Sequence, residues 1–176
     1  MAGALRLLPL CYLAILVATF MTAANEEQRV FSAEDEALKH PAPVPPGVIE
    51  SLTRDSTVRD TLASEHLAGK AIPASWLLAS EIHLRSASEK DLIVIGEGPL
   101  SGANVTTFWI FRPSGGGYKA LLNDAPAHTL VVRRSRSKGY RDIELLSATA
   151  ATMSSVVCKF DGVMYVPTRK TLQPIP

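Results

Sequence analysis

Asp91-Leu92-Ile93-Val94-Ile95 is followed by Phe108-Trp109-Ile110-Phe111-Arg112, by the glycines at 115–117 and by Tyr118. About 50 residues on, Asp142-Ile143-Glu144-Leu145-Leu146 is followed by Val156-Val157-Cys158-Lys159-Phe160, by Asp161-Gly162 and by Tyr165. Short runs of β-branched and aromatic residues bounded by turn residues predict strands, and the same order of runs and turns written twice predicts a repeated unit. The fold expected is mainly β: two tandem four-stranded antiparallel blade-like units over 73–170, behind a short N-terminal helical preface. In this repeat Asp91 corresponds to Asp142, and Trp109 and Phe111 correspond to Cys158 and Phe160.

Working outward, the first unit takes its strands from Trp76 to Leu84, Asp91 to Ile95, Thr106 to Arg112 and Lys119 to Leu122. The second takes Thr129 to Arg133, Asp142 to Ala148, Ser154 to Phe160 and Met164 to Pro167. In the earliest of these, Trp76, Leu78, Ile82 and Leu84 share one face, Leu77 and Ala79 the other, and Ser80 interrupts the alternation. Pro113-Ser114-Gly115-Gly116-Gly117, Ser135 to Tyr140 and Asp161-Gly162 are the strongest turn signals. Before the sheet, Pro46 stands where the first helical position belongs, with Val48, Ile49 and Leu52 at helical spacing. Val58 and Leu62 follow one turn apart behind Asp55 or Ser56 as a cap, which together predicts a helical preface over 47–72.

The chain opens with Arg6 as its only charge before Glu26, an apolar run from Leu7 to Phe20 and the small residues Thr22, Ala23 and Ala24. That order is a secretory signal peptide over 1–24, cleaved near Ala24, and it directs the protein to the periplasm or the exterior. A retained anchor is the competing reading, and only then is a membrane a partner. A lipoprotein leader wants a small residue before its cysteine, whereas Leu10 precedes Cys11. After cleavage Cys158 is the one remaining thiol, so no internal disulfide forms, and its strand setting predicts a buried, inert side chain. Residues 25–46 are acidic at first and then carry Pro41, Pro43, Pro45 and Pro46, a composition that predicts an extended tether.

Glu81-Ile82-His83-Leu84, a polar turn and Asp91-Leu92-Ile93-Val94 resemble the strand-turn-strand element of FG-GAP and VCBS-type repeats, as does Ser137-Lys138-Gly139-Tyr140-Arg141-Asp142-Ile143. The 104–112 and 160–165 stretches are similar to secreted bacterial proteins of uncharacterised function that carry such elements. The resemblance covers about Trp76 to Thr168 and implies propeller-like blades. Its calcium turn is replaced here by Arg85-Ser86-Ala87-Ser88-Glu89-Lys90 and by Arg136-Ser137-Lys138-Gly139, which lack the carboxylate run a hard cation needs, so no metal is expected.

No catalytic constellation stands out. Gly96-x-Gly98-x-x-x-Gly102 follows an apolar run, but Pro99 interrupts it and a strand rather than a helix comes next, so no cofactor is expected. Of His40, His66, His83 and His128, only His83 has a carboxylate, Glu81, on its own strand face, and no third ligand is spaced to join them. The chain holds 18 basic and 17 acidic residues for a net charge of +1, and loss of the leader removes Arg6 alone, which argues against nucleic acid as a partner.

The densest local charge is Arg133, Arg134, Arg136, Lys138 and Arg141, with Tyr140 among them. Strand alternation puts Arg134, Arg136 and Lys138 together, and Tyr140 adds an amphipathic contact surface. These six residues form the expected binding surface for an anionic protein or a glycan, beside the plainer reading of a charged turn that blunts a sheet edge. Asn104-Val105-Thr106 is a glycosylation sequon. The function expected is a non-enzymatic extracytoplasmic interaction protein, an inhibitor or immunity-type binder of a cell-wall hydrolase being one form of it. The alternatives are a small secreted hydrolase using His83 or His128, and a purely structural surface domain. Intact-mass measurement of the exported protein should find a chain that begins near Asn25, and a mass that retains Met1 to Phe20 would refute cleavage.

Overall fold

The computed structural model describes residues 28–35 and 37–175. The expected leader and the first residues of the expected tether lie outside them. The described chain is mainly β, with two antiparallel sheets and two helices. In chain order the elements are β1 (Val30–Ser32), α1 (Pro46–Thr53), α2 (Ser56–Ser64), β2 (Leu77–Ile82), β3 (Asp91–Gly96), β4 (Thr106–Ser114), β5 (Gly117–Ala127), β6 (Thr129–Ser137), β7 (Tyr140–Ala148), β8 (Thr152–Phe160) and β9 (Tyr165–Pro174). One sheet has the order β2-β3-β4-β5 and the other β1-β6-β7-β8-β9. Among the described residues no helix is long and apolar enough to cross a membrane.

Local chemistry accounts for the punctuation. Pro46 opens α1 from an extended Pro45, and the Asp55 carboxylate accepts from the backbone N–H groups of Thr57 and Val58 at the start of α2. Two hairpins are closed by two-residue turns with positive φ at both positions, Gly115-Gly116 at 55° and 85° and Lys138-Gly139 at 49° and 84°. That geometry matches the right-handed twist of the flanking strands, which is why glycine occupies three of the four places.

The molecule has three layers. Val48 and Leu52 of α1 and Val58 and Leu62 of α2 cover Leu77, Ala79, Leu92, Val94, Trp109 and Phe111 on the outer face of the first sheet. Its inner face, with Ile82, Leu84, Ile93, Ile95, Phe108 and Ile110, meets Leu130, Val132, Ile143, Cys158, Phe160 and Tyr165 of the second sheet. A strand buried on both faces reads as a continuous apolar run, and β3 and β4 do. Among the described residues nothing covers the outer face of the second sheet, and β8 mixes buried Cys158 with half-exposed Met153.

Three expectations need correction. The stretch over 25–46 is not a loose tether in its described part. Phe31 is fully buried between the sheets, β1 pairs with β6, and further on Ala42 N–H donates to the carbonyl of Ala79 in β2 at 2.9 Å. One apolar ring and backbone pairing at both sheets turn an acidic, proline-rich stretch into a clasp. Trp76 does not share a face with Leu78, Ile82 and Leu84. It ends a 3₁₀ turn over Ala74–Trp76 and packs on the helical side, because the strand begins one residue later. Ser80, the break in that strand's alternation, is buried and donates to the His40 carbonyl at 2.9 Å, holding the clasp down.

The third correction is one of register. Leu92 lies opposite Phe111, and Ile143 lies opposite Cys158. Counted from the two aspartates, Phe111 therefore corresponds to Cys158 and Trp109 to Val156, two residues away from the expected match. Removing the clasp's anchor tests its weight: Phe31→Ala should destabilise the protein by about 3–5 kcal/mol in urea unfolding, the range for truncating a buried aromatic. A loss below about 1 kcal/mol would restore the tether reading.

Candidate functional site

The site lies where the β2–β3 loop, the β6–β7 hairpin and the β8–β9 turn converge at one end of the two sheets. Its foundation is a buried ion pair. Arg112 of β4 donates from Nε to Asp91 Oδ1 at 2.8 Å and from Nη2 to Asp91 Oδ2 at 3.1 Å, and the Asp91 side chain is fully buried. The same guanidinium lies 4.4 Å from the centroid of the Tyr140 ring, which stacks on Phe160 with centroids 3.9 Å apart. Burial pushes the Asp91 carboxyl above its ordinary value, and Arg112 pulls against that shift. Tyr165 donates its hydroxyl to the Arg141 carbonyl at 2.6 Å; burial, then the nearby Asp91 and Asp142 carboxylates, raise its phenol well above the usual range.

Above this base opens a cleft of about 450 Å³ lined by His40, Glu81, His83, Ser86, Ala87, Lys90, Arg136 and Arg141. Lys90 Nζ stands 2.6 Å from Glu81 Oε2, so that carboxylate is neutralised locally. His83 Nδ1 meets the Glu89 carbonyl at 2.9 Å, and since a carbonyl only accepts, this contact puts the hydrogen on Nδ1. Arg136 is held by three backbone carbonyls. Its Nη1 donates to the carbonyls of Leu84 at 3.1 Å, Arg85 at 2.8 Å and Gly139 at 2.8 Å, tying the second sheet to the β2–β3 loop.

The six residues expected to form one surface have different fates. Arg133 pairs with Glu144 at 3.1 Å on the open face of the second sheet. Arg134 is exposed. Arg136 and Arg141 line the cleft. Lys138 reaches the Asp161 carbonyl in the β8–β9 turn. Tyr140 is not a contact surface, since its ring is turned inward and only 8% exposed. The β6–β7 register shifts between Val132 and Arg136, so simple strand alternation does not carry through from Arg134 to Lys138, which stands in the two-residue turn.

Glu81 and His83 do meet in the cleft, whereas His128 contacts Glu34 and Thr129 and lies outside its lining. His40 and Lys90 were missed by sequence reasoning. His40 arrives through the clasp, its carbonyl accepting from Ser80 Oγ and from Glu81 N–H, and no local pattern signals that. Gly96, the last residue of β3, serves packing: a Cβ there would stand 2.8 Å from Leu100 Cβ, under the 3₁₀ turn Gly98–Leu100. Cys158 is buried, and burial pushes its thiol up to about 11.

Breaking the foundation on one side should be worse than removing it. Arg112→Met leaves the Asp91 charge buried without its partner and should cost about 3–5 kcal/mol, while Arg112→Met with Asp91→Val should recover most of that loss. Equilibrium denaturation of both variants checks it, and a double variant no more stable than the single would refute the account.

Comparison with known proteins found no matching family model, no matching curated protein and no matching solved structure.

Proposed function

We propose that this protein is an extracytoplasmic, non-enzymatic interaction protein that receives an anionic partner at the β6–β7 hairpin and the adjoining cleft. The observation that carries the reading is the state of the hairpin's charges. Arg136 and Lys138 are held by backbone carbonyls, and among the described residues no carboxylate pairs with Arg134, Arg136 or Lys138 in an ion pair. Carbonyls orient a cation without cancelling its charge, so Arg134 and Arg136 keep a positive field at the hairpin, while Lys138 also acts on the nearby Asp161 carboxylate.

Export by the leader and the likeness to FG-GAP and VCBS-type repeats belong to the same proposal. Consecutive antiparallel order in β2–β5 and again in β6–β9 supports a tandem, blade-like origin. So does the direction of the faces: Leu92 and Phe111 look toward the helices, and Ile143 and Cys158 look toward the first sheet, which is front-to-back stacking. By analogy of scaffold, the acidic cleft of a cell-wall hydrolase is one partner of suitable charge. The enzyme reading rests on Glu81 and His83 sharing the cleft. Glu81 is turned to Lys90 and His83 Nδ1 to a backbone carbonyl, so the binder is the better account.

The test uses a partner recovered with the mature chain from the native envelope fraction. Arg134→Glu with Lys138→Glu should slow its association roughly tenfold at low salt and flatten the salt dependence, with unfolding almost unchanged. Association as fast as the parent's would reduce the hairpin to a solvated turn.

A further inference from the structure

We infer that Arg136 is a pre-oriented clamp for a single carboxylate group entering the cleft, an inference that rests on the binder reading and gives its ligand chemistry. A guanidinium has two donor edges. In Arg136 every hydrogen bond to the described residues leaves from Nη1, toward Leu84, Arg85 and Gly139. The remaining edge, Nε–H with Nη2–H, is the fork that matches the two oxygens of a carboxylate in parallel. Holding one nitrogen on three carbonyls fixes the plane of the group before any ligand arrives. Less rotational freedom is then lost on binding.

The charges around the fork favour an anion, and its planar shape selects a carboxylate. Glu81 is balanced by Lys90 at 2.6 Å, and Glu89 by Arg85 at 3.1 Å, so each pair is neutral as a unit. Arg141 stands in the same lining, and Arg136 contributes a positive charge that its carbonyl partners do not cancel. A carboxylate balances that charge and fits the planar fork. A tetrahedral sulfate or phosphate places its other oxygens out of the guanidinium plane, where the fork supplies no donor. The cleft, at about 450 Å³, has room for an acidic side chain or a small organic acid.

The Arg136 Nε–H resonance of the mature protein reads this directly. Titration with sodium acetate, and separately with N-acetyl-glutamate methylamide, should shift that signal saturably while the Arg134 Nε–H stays still. Tighter saturation by the blocked glutamate assigns the carboxylate to a protein side chain, and tighter saturation by acetate assigns it to a small acid. Arg136→Lys should weaken the saturable response, read on the neighbouring amides, by about tenfold or more, because an ammonium has no fork. A backbone amide spectrum otherwise unchanged shows that this variant is folded, and the parent titration stands without it. Equal binding of sodium sulfate overturns the carboxylate assignment. A linear shift, or one shared by Arg134 or by acetamide, overturns the site. Either failure leaves the hairpin's role to its own test, because that one reads Arg134 and Lys138.

Discussion

The contact on which the rest depends is the bidentate pair of Arg112 and Asp91 beside the Tyr140 ring. A carboxylate with no solvent exposure demands a fixed partner, so β3 and β4 are held in one register at the point where the second sheet crosses them. The consequences run outward. Asp91 Oδ2 also receives the Leu84 N–H at 3.4 Å, where β2 has ended and the loop begins. The Leu84 carbonyl then accepts from Arg141 N–H at 2.8 Å and from Arg136 at 3.1 Å. One buried charge thus positions the loop, the loop positions Arg136, and Arg136 holds the hairpin against the first sheet.

Burial as deep as this has a conformational meaning more than an energetic one. Apolar residues in place of the pair would fill the space at little cost, but they would also tolerate sliding of one sheet over the other. A guanidinium that must reach two oxygens and a ring face at once tolerates no such shift. The cleft walls come from segments far apart in the chain, which is where a unique arrangement matters most.

The layers explain why the two sheets differ in composition although their strands run in the same order. Helices α1 and α2 close the outer face of the first sheet, so Trp109 and Phe111 are fully buried, whereas no described residues form such a layer over the second sheet. There the face is finished by the Arg133–Glu144 pair and by Ser155, Val157 and Thr171, a mixed surface that ends the stack without inviting another sheet. The edge strand β9 carries Pro167, Arg169 and Lys170, residues that discourage strand addition.

By itself the sequence determined the local events: the helix starts at Pro46 and behind Asp55, the glycine turns at 115–116 and 138–139, and the strand runs between them. Each follows from backbone sterics or from side-chain periodicity within a few residues. It also marked the buried thiol; Glu81 and His83, expected on one strand face, both line the cleft, but β2 ends at Ile82 before His83. Only the tertiary structure decided that Phe31 belongs to the core, that Tyr140 turns inward, and that Arg136 answers to a carbonyl 52 residues away. The physical reason is that alternation records which face a residue is on, never what that face will meet. A cluster of five cations reads the same whether its charges are spent on Glu144, tied to carbonyls or turned to solvent. Their separate partners come from the fold alone.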